Sequence, residues 1–347
     1  MQRAIQIASA GAPFIVGTRP IPKPGKGQML VKILAVALNP FEVFMSAYGM
    51  FVREWPVVLG WDASGRVEEV GEGVVGFEKG DRVLYPGDFV NDRFTFQEYG
   101  LTNASTTAKI PDNLTFEEAA TFPLCISTSA IGLYSKKQVG AGLVAPWEAD
   151  GKGKYQDEPI LVTGGASSVG QFAIQLAKLS GFNPIITTAS ASNKAYCEAA
   201  GATHVIDYHT TSYPALPSAV RGITSKPVKV IYDAISTQDT QVASWGILSD
   251  LGGKLVVTRP LVEDIKEQDG KSVARVFGTV NDDTAGDTRV GEQLFGAFEK
   301  LLRNGDLKPN TIEVLPGGLA GIEGGLKRMG EGKVSGTKLV VRPTETA

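Results

Sequence analysis

From Ala4 to Gly100 the apolar positions come in short runs that alternate with polar ones and are broken by Gly and Pro. Met29-Leu-Val-Lys-Ile-Leu-Ala-Val, Ser64-Gly-Arg-Val-Glu-Glu-Val and Asp81-Arg-Val-Leu-Tyr show the pattern. A period of two bounded by turn residues predicts antiparallel strands, so the first third reads as mostly sheet. From Phe116 to Tyr134 the spacing turns helical, opened by Thr115 with Glu118 at the interval of a capping box. Gln138 to Glu158 is rich in Gly and charge, contains Pro146 and Trp147, and reads as a surface excursion. Beyond Pro159 the character changes again. Strand-like runs at Ile160-Leu-Val-Thr, Pro184-Ile-Ile-Thr-Thr, His204-Val-Ile-Asp, Val228-Lys-Val-Ile-Tyr-Asp and Lys254-Leu-Val-Val alternate with helical stretches. One of these aligns Val169, Phe172, Ala173, Leu176 and Ala177 on a single stripe, and another covers Asn193 to Ala200. Such alternation predicts right-handed βαβ crossovers and a parallel sheet. After Phe277-Gly-Thr it stops. A helix is expected from about Gly291 to Arg303, and the final strand-like Lys338-Leu-Val-Val-Arg is expected to return to the β-rich first part.

At 347 residues the chain exceeds what one hydrophobic core usually serves, so two domains are expected. Hydrophobic residues at 43% and charged residues at 20% suit a folded, soluble protein. The net charge of -3, with cations and anions interspersed, offers no basic face for a phosphate backbone, and nucleic acid is not an expected partner. Met1 to Ala10 lacks the apolar run of a signal peptide, and no later segment reaches the roughly 20 apolar residues of a membrane span. A cytoplasmic location and no membrane partner are therefore expected. Cys125 and Cys197 are the only cysteines and His204 and His209 the only histidines, too few for a disulfide scaffold or a four-ligand structural zinc site.

The strongest chemical signal is Ile160-Leu-Val-Thr-Gly-Gly-Ala-Ser-Ser-Val-Gly170 leading into a helix. A strand, a small-residue turn and a helix N-terminus present backbone N–H groups and the helix dipole to a pyrophosphate. Gly165 and Gly170 occupy the outer positions of the dinucleotide fingerprint, and Ser167 replaces its middle glycine. About 20 residues on, where an NAD site places a carboxylate for the ribose, the chain has Thr187-Thr-Ala-Ser-Ala-Ser-Asn-Lys194. Hydroxyls, an amide and a cation there favour a 2′-phosphate and hence NADPH. The alternative is that Ser190, Asn193 and Lys194 only cap the next helix.

Over essentially its whole length the chain resembles the medium-chain dehydrogenase/reductase superfamily. The resemblance is carried by Ala37-Leu-Asn-Pro40, Leu59-Gly-Trp-Asp-Ala-Ser-Gly-Arg-Val67, Val70-Gly-Glu-Gly73, Lys79-Gly-Asp-Arg-Val83, Glu117-Glu-Ala-Ala-Thr-Phe-Pro123, the cofactor loop, Gly201-Ala-Thr-His-Val-Ile-Asp-Tyr208 and Lys333-Val-Ser-Gly-Thr-Lys-Leu-Val-Val341. Within the superfamily it is most similar to quinone-oxidoreductase-like proteins, including the fungal enoyl reductases that act in trans in polyketide pathways. The implied fold is α/β, a GroES-like β-rich domain of residues 1–124 and 282–347 beside a Rossmann domain of residues 125–281, with an active site in the cleft between. Zinc-dependent members carry Cys, His and Cys at the places of Asn39, Trp61 and near Cys125, so the resemblance implies no catalytic zinc. By position it assigns Thr128, Phe277, Gly278, Thr279, Thr337 and Lys338 to the nicotinamide side and counts Asn39 among the cofactor-binding residues. Gly165, Ala166, Ser167, Ser168 and Val169 fall to the pyrophosphate, and Ile235 to the segment after the strand ending at Asp233. Ser190, Asn193, Lys194 and Tyr208 fall to the adenosine 2′-phosphate, with plain packing open for Tyr208.

The activity so implied is NADPH-dependent reduction of a carbon–carbon double bond activated by a carbonyl, in an enone, enoyl or quinone substrate. Many relatives place a Lys or Tyr where this chain has Phe44. Tyr48 is the nearest hydroxyl in that segment and the candidate proton donor, with bulk water or a merely lining role as alternatives. Phe41, Phe44, Tyr48, Phe51 and Trp55 are expected to supply an apolar substrate pocket in part and core in part. Trp147 is either a cover for the cleft or a loop residue without a role. A carrier-bound polyketide substrate and a non-catalytic NADPH-binding protein are the rival readings. The chain is expected to be a monomer or a homodimer paired through a strand near Val273 to Val280.

Overall fold

A computed structural model of the protein describes residues 1–268 and 270–347. The chain forms two compact units, residues 1–124, 295–305 and 309–347 in the first and residues 125–294 and 306–308 in the second.

The first unit opens with β1 (Gln2–Ile7) and β2 (Ile15–Arg19), followed by β3 (Gln28–Ala37), α1 (Pro40–Tyr48), β4 (Val57–Val58), β5 (Asp62–Val70), β6 (Arg82–Pro86), β7 (Tyr99–Asn103), β8 (Ala108–Lys109) and α2 (Phe116–Ala119). β1 is central in a small antiparallel sheet between β2 and β4. β3 is central in the larger sheet, paired antiparallel with β5, with β7 and with a strand from the end of the chain. The alternation that predicts these strands is visible in their burial. Val31, Ile33, Ala35 and Ala37 of β3 are fully buried, whereas Lys32 between them is exposed. The expected single helix from Phe116 is divided, because Pro123 has no N–H to donate and its ring disfavours helix at the residue before it. α2 ends at Ala119 and α3 (Pro123–Tyr134) begins at that proline. The capping box forms as expected: Thr115 Oγ1 accepts from Glu118 N at 3.1 Å, and Glu118 Oε2 accepts from Thr115 N at 2.8 Å.

In the second unit β9 (Ile160–Thr163), α4 (Ser168–Ser180), β10 (Ile185–Ala189), α5 (Lys194–Ala200), β11 (His204–Asp207), α6 (Leu216–Ile223), β12 (Val230–Asp233), α7 (Gln238–Ile247), β13 (Gly253–Val257) and β14 (Lys271–Arg275) follow in turn. Their sheet runs β11-β10-β9-β12-β13-β14 and every pairing is parallel. This is the doubly wound order, which reverses between β9 and β12 and so opens a crevice at the carboxyl ends of those strands. Leu161, Ile186, Ile231, Leu255 and Val257 build its core. Of the stripe expected on α4, Phe172, Ala173, Leu176 and Ala177 are fully buried and Val169 is partly buried. The last strand is β14, at residues 271–275 rather than near 273–280, and it is an edge of the sheet.

The excursion at residues 138–158 has neither helix nor strand but is more firmly anchored than a surface loop. Tyr155 stacks on Phe182 at 4.9 Å and its hydroxyl accepts from Val144 N at 2.7 Å, while Trp147 packs edge-on against Tyr134 at 5.1 Å. The aromatic residues within the Gly-rich stretch supply burial that its composition does not suggest.

α8 (Thr288–Arg303) is followed by β15 (Ile312–Leu315), α9 (Gly321–Gly330) and β16 (Lys338–Val341). β16 pairs with β3, Val340 opposite Ala37, so the tail completes the first unit's large sheet. Among the described residues no helix is long and apolar enough to cross a membrane.

Candidate active site

In the first unit, three neighbouring strands bring four buried polar side chains together. Asp62 opens β5 opposite Ala37, the last residue of β3, and Lys338 opens β16 on the other side of β3. Asn39, separated from β3 by Leu38 alone, caps α1, whose third residue is Glu42. All four are buried, at 1% exposure for Asn39, 0% for Glu42 and Asp62, and 3% for Lys338. Lys338 Nζ lies 3.0 Å from Asp62 Oδ2 and donates to Asn39 Oδ1. The Asn39 amide donates to Asp62 Oδ2 at 2.9 Å and to Glu42 Oε1 at 3.3 Å, and its backbone N–H donates to Glu42 Oε2 at 2.7 Å. Asp62 Oδ1 accepts from Leu124 N at 2.6 Å. Buried charges persist when paired and hydrogen-bonded, and here one ammonium faces two carboxyls. Burial first, and then the Asp62 charge, push the Glu42 carboxyl up to about 8, against the pull of Lys338 and Asn39.

These residues do not suit zinc. The Asn39 amide nitrogen faces two carboxyls and its oxygen faces an ammonium. Trp61, beside Asp62, has an indole, which supplies no metal lone pair, and lies against Phe89 and Phe94 at 4.6 and 5.9 Å. The cation among the carboxyls is the chain's own lysine. Among the described residues no group of three or more His, Cys, Asp and Glu is placed to hold a metal ion. Cys125 is buried.

The aromatic segment after Asn39 divides. Phe41 packs on Trp61 and Phe51, with ring centroids at 5.5 and 5.8 Å. Phe44 stacks with Tyr48 at 6.4 Å on the outer side of α1, where Tyr48 is 71% exposed. Gly49 ends the helix in the left-handed region, φ 67°, with the Trp55 ring against its Cα. Phe51 also has φ 63°, a conformation that costs a bulky residue roughly 1–3 kcal/mol. Phe44, Phe51 and Trp55 are exposed, so the segment offers an open apolar surface. Thr337 is partly buried directly before Lys338.

In the second unit, the loop between β9 and α4 is shaped by glycines that admit no side chain. A Cβ on Gly164, φ 68°, would lie 2.3 Å from Ile235 Cγ1; one on Gly165 would lie 2.2 Å from Thr187 Oγ1; one on Gly170 would lie 2.2 Å from the Gly164 carbonyl oxygen. Ser167 is the N-cap of α4. Its hydroxyl accepts from Gly170 N at 3.0 Å and donates to Gly164 O at 2.8 Å. That is why a serine serves at the middle glycine position: the hydroxyl ties both ends of the turn together. The N–H groups of Ala166, Ser168 and Val169 stand at the N-terminus of α4. Asp233, at the end of β12, holds the facing turn. Its Oδ1 accepts from Thr163 Oγ1 at 2.5 Å, Ile235 N at 3.1 Å and Ser236 N at 2.7 Å, and its Oδ2 accepts from Thr240 Oγ1 at 2.7 Å. Burial raises the Asp233 carboxyl above its usual range, while these bonds oppose the shift.

At the end of β10, Asn193 Nδ2 donates to Ser190 Oγ at 2.9 Å, and Lys194 is exposed, 3.8 Å from Glu198. Tyr208 directly follows β11, which pairs with β10 there, and its ring contacts His209 at 4.4 Å. Thr128 accepts the Tyr232 hydroxyl on its backbone oxygen at 2.9 Å. Phe277 and Gly278 are partly buried, and Thr279 is buried with its hydroxyl oxygen unpartnered. The glycines between β9 and α4 let the turn close tightly enough to set the N-terminus of α4 at the end of β9, an arrangement that suits a dinucleotide's pyrophosphate.

Sequence reasoning did not single out Glu42. The signal was present, since Asn39 and Glu42 have capping-box spacing, but its burial against Asp62 and Lys338 is a tertiary fact.

The chain matches the GroES-like domain of alcohol dehydrogenases over residues 25–112 and the zinc-binding dehydrogenase domain over residues 168–284. It is 29% identical to a trans-enoyl reductase of a Penicillium species across 98% of this chain and 97% of the relative. With a trans-enoyl reductase of Aspergillus flavipes the identity is 32%, covering 98% of each. The quinone oxidoreductase of Coxiella burnetii has the same fold, with TM-score 0.75 and 26% identity over 98% of this chain and 99% of that one. From the strand order, the cofactor loop and these matches together, the protein belongs to the medium-chain dehydrogenase/reductase superfamily.

Proposed function

We propose that the protein is an NADPH-dependent, zinc-independent reductase of carbon–carbon double bonds conjugated to a carbonyl. The observation that carries the cofactor reading is the loop at residues 164–170, whose backbone offers the N–H groups of Ala166, Ser168 and Val169 to a pyrophosphate. Thr128, Phe277, Gly278, Thr279, Thr337 and Lys338 are assigned to the nicotinamide end, and Asn39 and Ile235 are counted among the cofactor contacts. Ser190, Asn193, Lys194 and Tyr208 are assigned to the 2′-phosphate. The absence of a carboxylate among residues 187–194 supports NADPH over NADH. When bound, the reduced nicotinamide supplies a hydride. The protein's own task is to hold the acceptor and deliver a proton. With an amide and an indole at two of the three places where zinc-dependent members carry ligands, the substrate's carbonyl charge falls to hydrogen-bond donors. This favours an acceptor that spreads charge by conjugation, and the names of the relatives point the same way. Tyr48 is the proposed proton source, and Phe41, Phe44, Phe51 and Trp55 the apolar contacts of the substrate.

The test is loss of NADPH absorbance with a panel of alkenals, enones, quinones, simple ketones and a crotonyl thioester, repeated with NADH and with chelator. Turnover of conjugated acceptors, NADPH preferred and chelator without effect, is expected. Lys194→Ala is expected to weaken NADPH but not NADH. Activity on simple ketones that chelator abolishes would overturn the reading. The trans-enoyl reductase relatives favour a second reading, in which the enoyl chain is presented on a carrier protein. It predicts turnover of a carrier-bound thioester with little activity on free enones. Tight NADPH binding without turnover in any arm would mark a non-catalytic protein.

A further inference from the structure

Ser190, Asn193 and Lys194 are assigned to the 2′-phosphate, but Thr188, just before them in the chain, points to the turn between β9 and α4 instead. It is buried in β10, at 1% exposure. Its hydroxyl oxygen accepts from Gly164 N at 3.0 Å, and its main-chain oxygen accepts from Gly165 N at 2.9 Å. One residue of β10 thus takes both amides that open the turn. The turn has no slack beside it. The Thr187 hydroxyl would lie 2.2 Å from a Cβ on Gly165 and is itself tied to Val162 O at 2.6 Å. On its other side Gly164 closes on Ile235, with 2.3 Å between the place of a Cβ and Ile235 Cγ1. The Thr188 side chain is hydrogen-bonded in turn to Tyr213. Tyr213 comes after β11 and packs, partly buried, on the core of the second unit. A hydroxyl has one proton and two lone pairs, so a single oxygen can serve both Gly164 and Tyr213.

Resting on the cofactor reading above, we propose that Thr188 is a positioning residue for the pyrophosphate: its hydroxyl, held by Tyr213, fixes Gly164 and with it the turn that carries the N–H groups of Ala166, Ser168 and Val169. The two amide bonds to Thr188 are not equivalent. The bond from Gly165 goes to the main chain and survives a substitution at 188, so strand and turn stay joined. The bond from Gly164 depends on the hydroxyl alone. Valine keeps the branched shape of threonine and removes the acceptor. Gly164 N–H then lacks its partner, and the turn shifts toward another. Misplacing binding groups by about 1 Å can cost on the order of 100-fold, and a shift limited by the remaining Gly165 bond is expected to cost on the order of tenfold. The 2′-phosphate contacts do not share this dependence. They lie beyond the end of β10 and hold one another, with Asn193 Nδ2 donating to Ser190 Oγ at 2.9 Å.

The experiment is calorimetric titration of NADPH, and of adenosine 2′-phosphate, which lacks the pyrophosphate. The proteins are the full-length wild type, Thr188→Val, Thr188→Ser, Tyr213→Phe and the double variant Thr188→Val with Tyr213→Phe. Thr188→Val is expected to lose on the order of tenfold in NADPH affinity and less than about twofold for adenosine 2′-phosphate. Thr188→Ser keeps the hydroxyl and should bind both as the wild type does. Tyr213→Phe should lose about threefold for NADPH alone, and add nothing in the double variant, since its effect passes through Thr188. Equal weakening of both ligands marks a general loss of structure and overturns the proposal. So do a lower melting temperature with NADPH affinity intact, a Thr188→Ser variant as weak as Thr188→Val, and additive losses in the double variant. Should Thr188→Val not fold, Tyr213→Phe decides by the same two ligands. Failure of the wild type to bind NADPH is a different result, because it removes the cofactor reading and the inference with it.

Discussion

Gly170 is the most sharply constrained position of the cofactor loop. A methyl group there would lie 2.2 Å from the Gly164 carbonyl oxygen and 2.9 Å from both the Gly164 carbonyl carbon and the Gly165 Cα, all main-chain atoms. No rotamer relieves the contact, so reaching an ordinary separation means moving the β9–α4 turn by about 1 Å. Overpacking of this kind costs about 1–3 kcal/mol, offset by up to about 1 kcal/mol from replacing glycine inside a helix. Gly170→Ala should therefore be destabilised by about 0–3 kcal/mol. It should also lose more than about tenfold in NADPH affinity, because the same movement displaces the Ser167 cap and the N–H groups beside it. Gly296→Ala is the control. It lies in α8, exposed, with nothing within 4 Å of the added methyl, and should be stabilised by up to about 1 kcal/mol with NADPH affinity unchanged. Thermal denaturation and NADPH titration of the pair separate the two effects. If Gly170→Ala binds NADPH as tightly as the wild type, the loop does not hold the cofactor in the way argued here.

Other residues give equally direct expectations. Glu42 is raised in the folded protein from its ordinary value of 4.5 to about 8, so the folded state holds its proton more tightly. Its contribution is complete below about pH 4.5 and falls away as the pH rises toward 8, by at most about 1.4 kcal/mol per pH unit. Denaturant melts across that range should show the decline in the wild type and its absence in Glu42→Gln. Asp233→Asn replaces a carboxylate oxygen that accepts a hydrogen bond with an amide that cannot, and should cost about 2–3 kcal/mol in chemical denaturation. Tyr232→Phe, which removes the bond to the Thr128 carbonyl, should cost about 1–2 kcal/mol. Tyr48→Phe should lower turnover of an enone by about 100-fold if the phenol is the proton donor; a change under about threefold assigns the proton to solvent.

The order of elements was open to reading because it is written in local periodicity. Alternation along Met29 to Val36 and the helical stripe through Phe172 and Ala177 each reflect one face turned to a core. The cofactor loop was equally legible, since glycines at 164, 165 and 170 and a capping hydroxyl at 167 are requirements of a single tight turn. Pro123 splits the helix expected from Phe116 through its own backbone chemistry, whereas packing decides the stretch at residues 138–158, where Tyr155 and Trp147 anchor what its glycines suggest is a loose loop. The cluster at Asn39 could not be read from the chain at all. Asn39 and Lys338 lie 299 residues apart and meet only because β3 and β16 become neighbours in one sheet. Sequence by itself determined where the backbone turns, the strands and the start of α4 would lie. Tertiary structure decided which charges were taken out of water together, and a carboxyl's behaviour depends on that desolvation and on the charges that face it across the sheet.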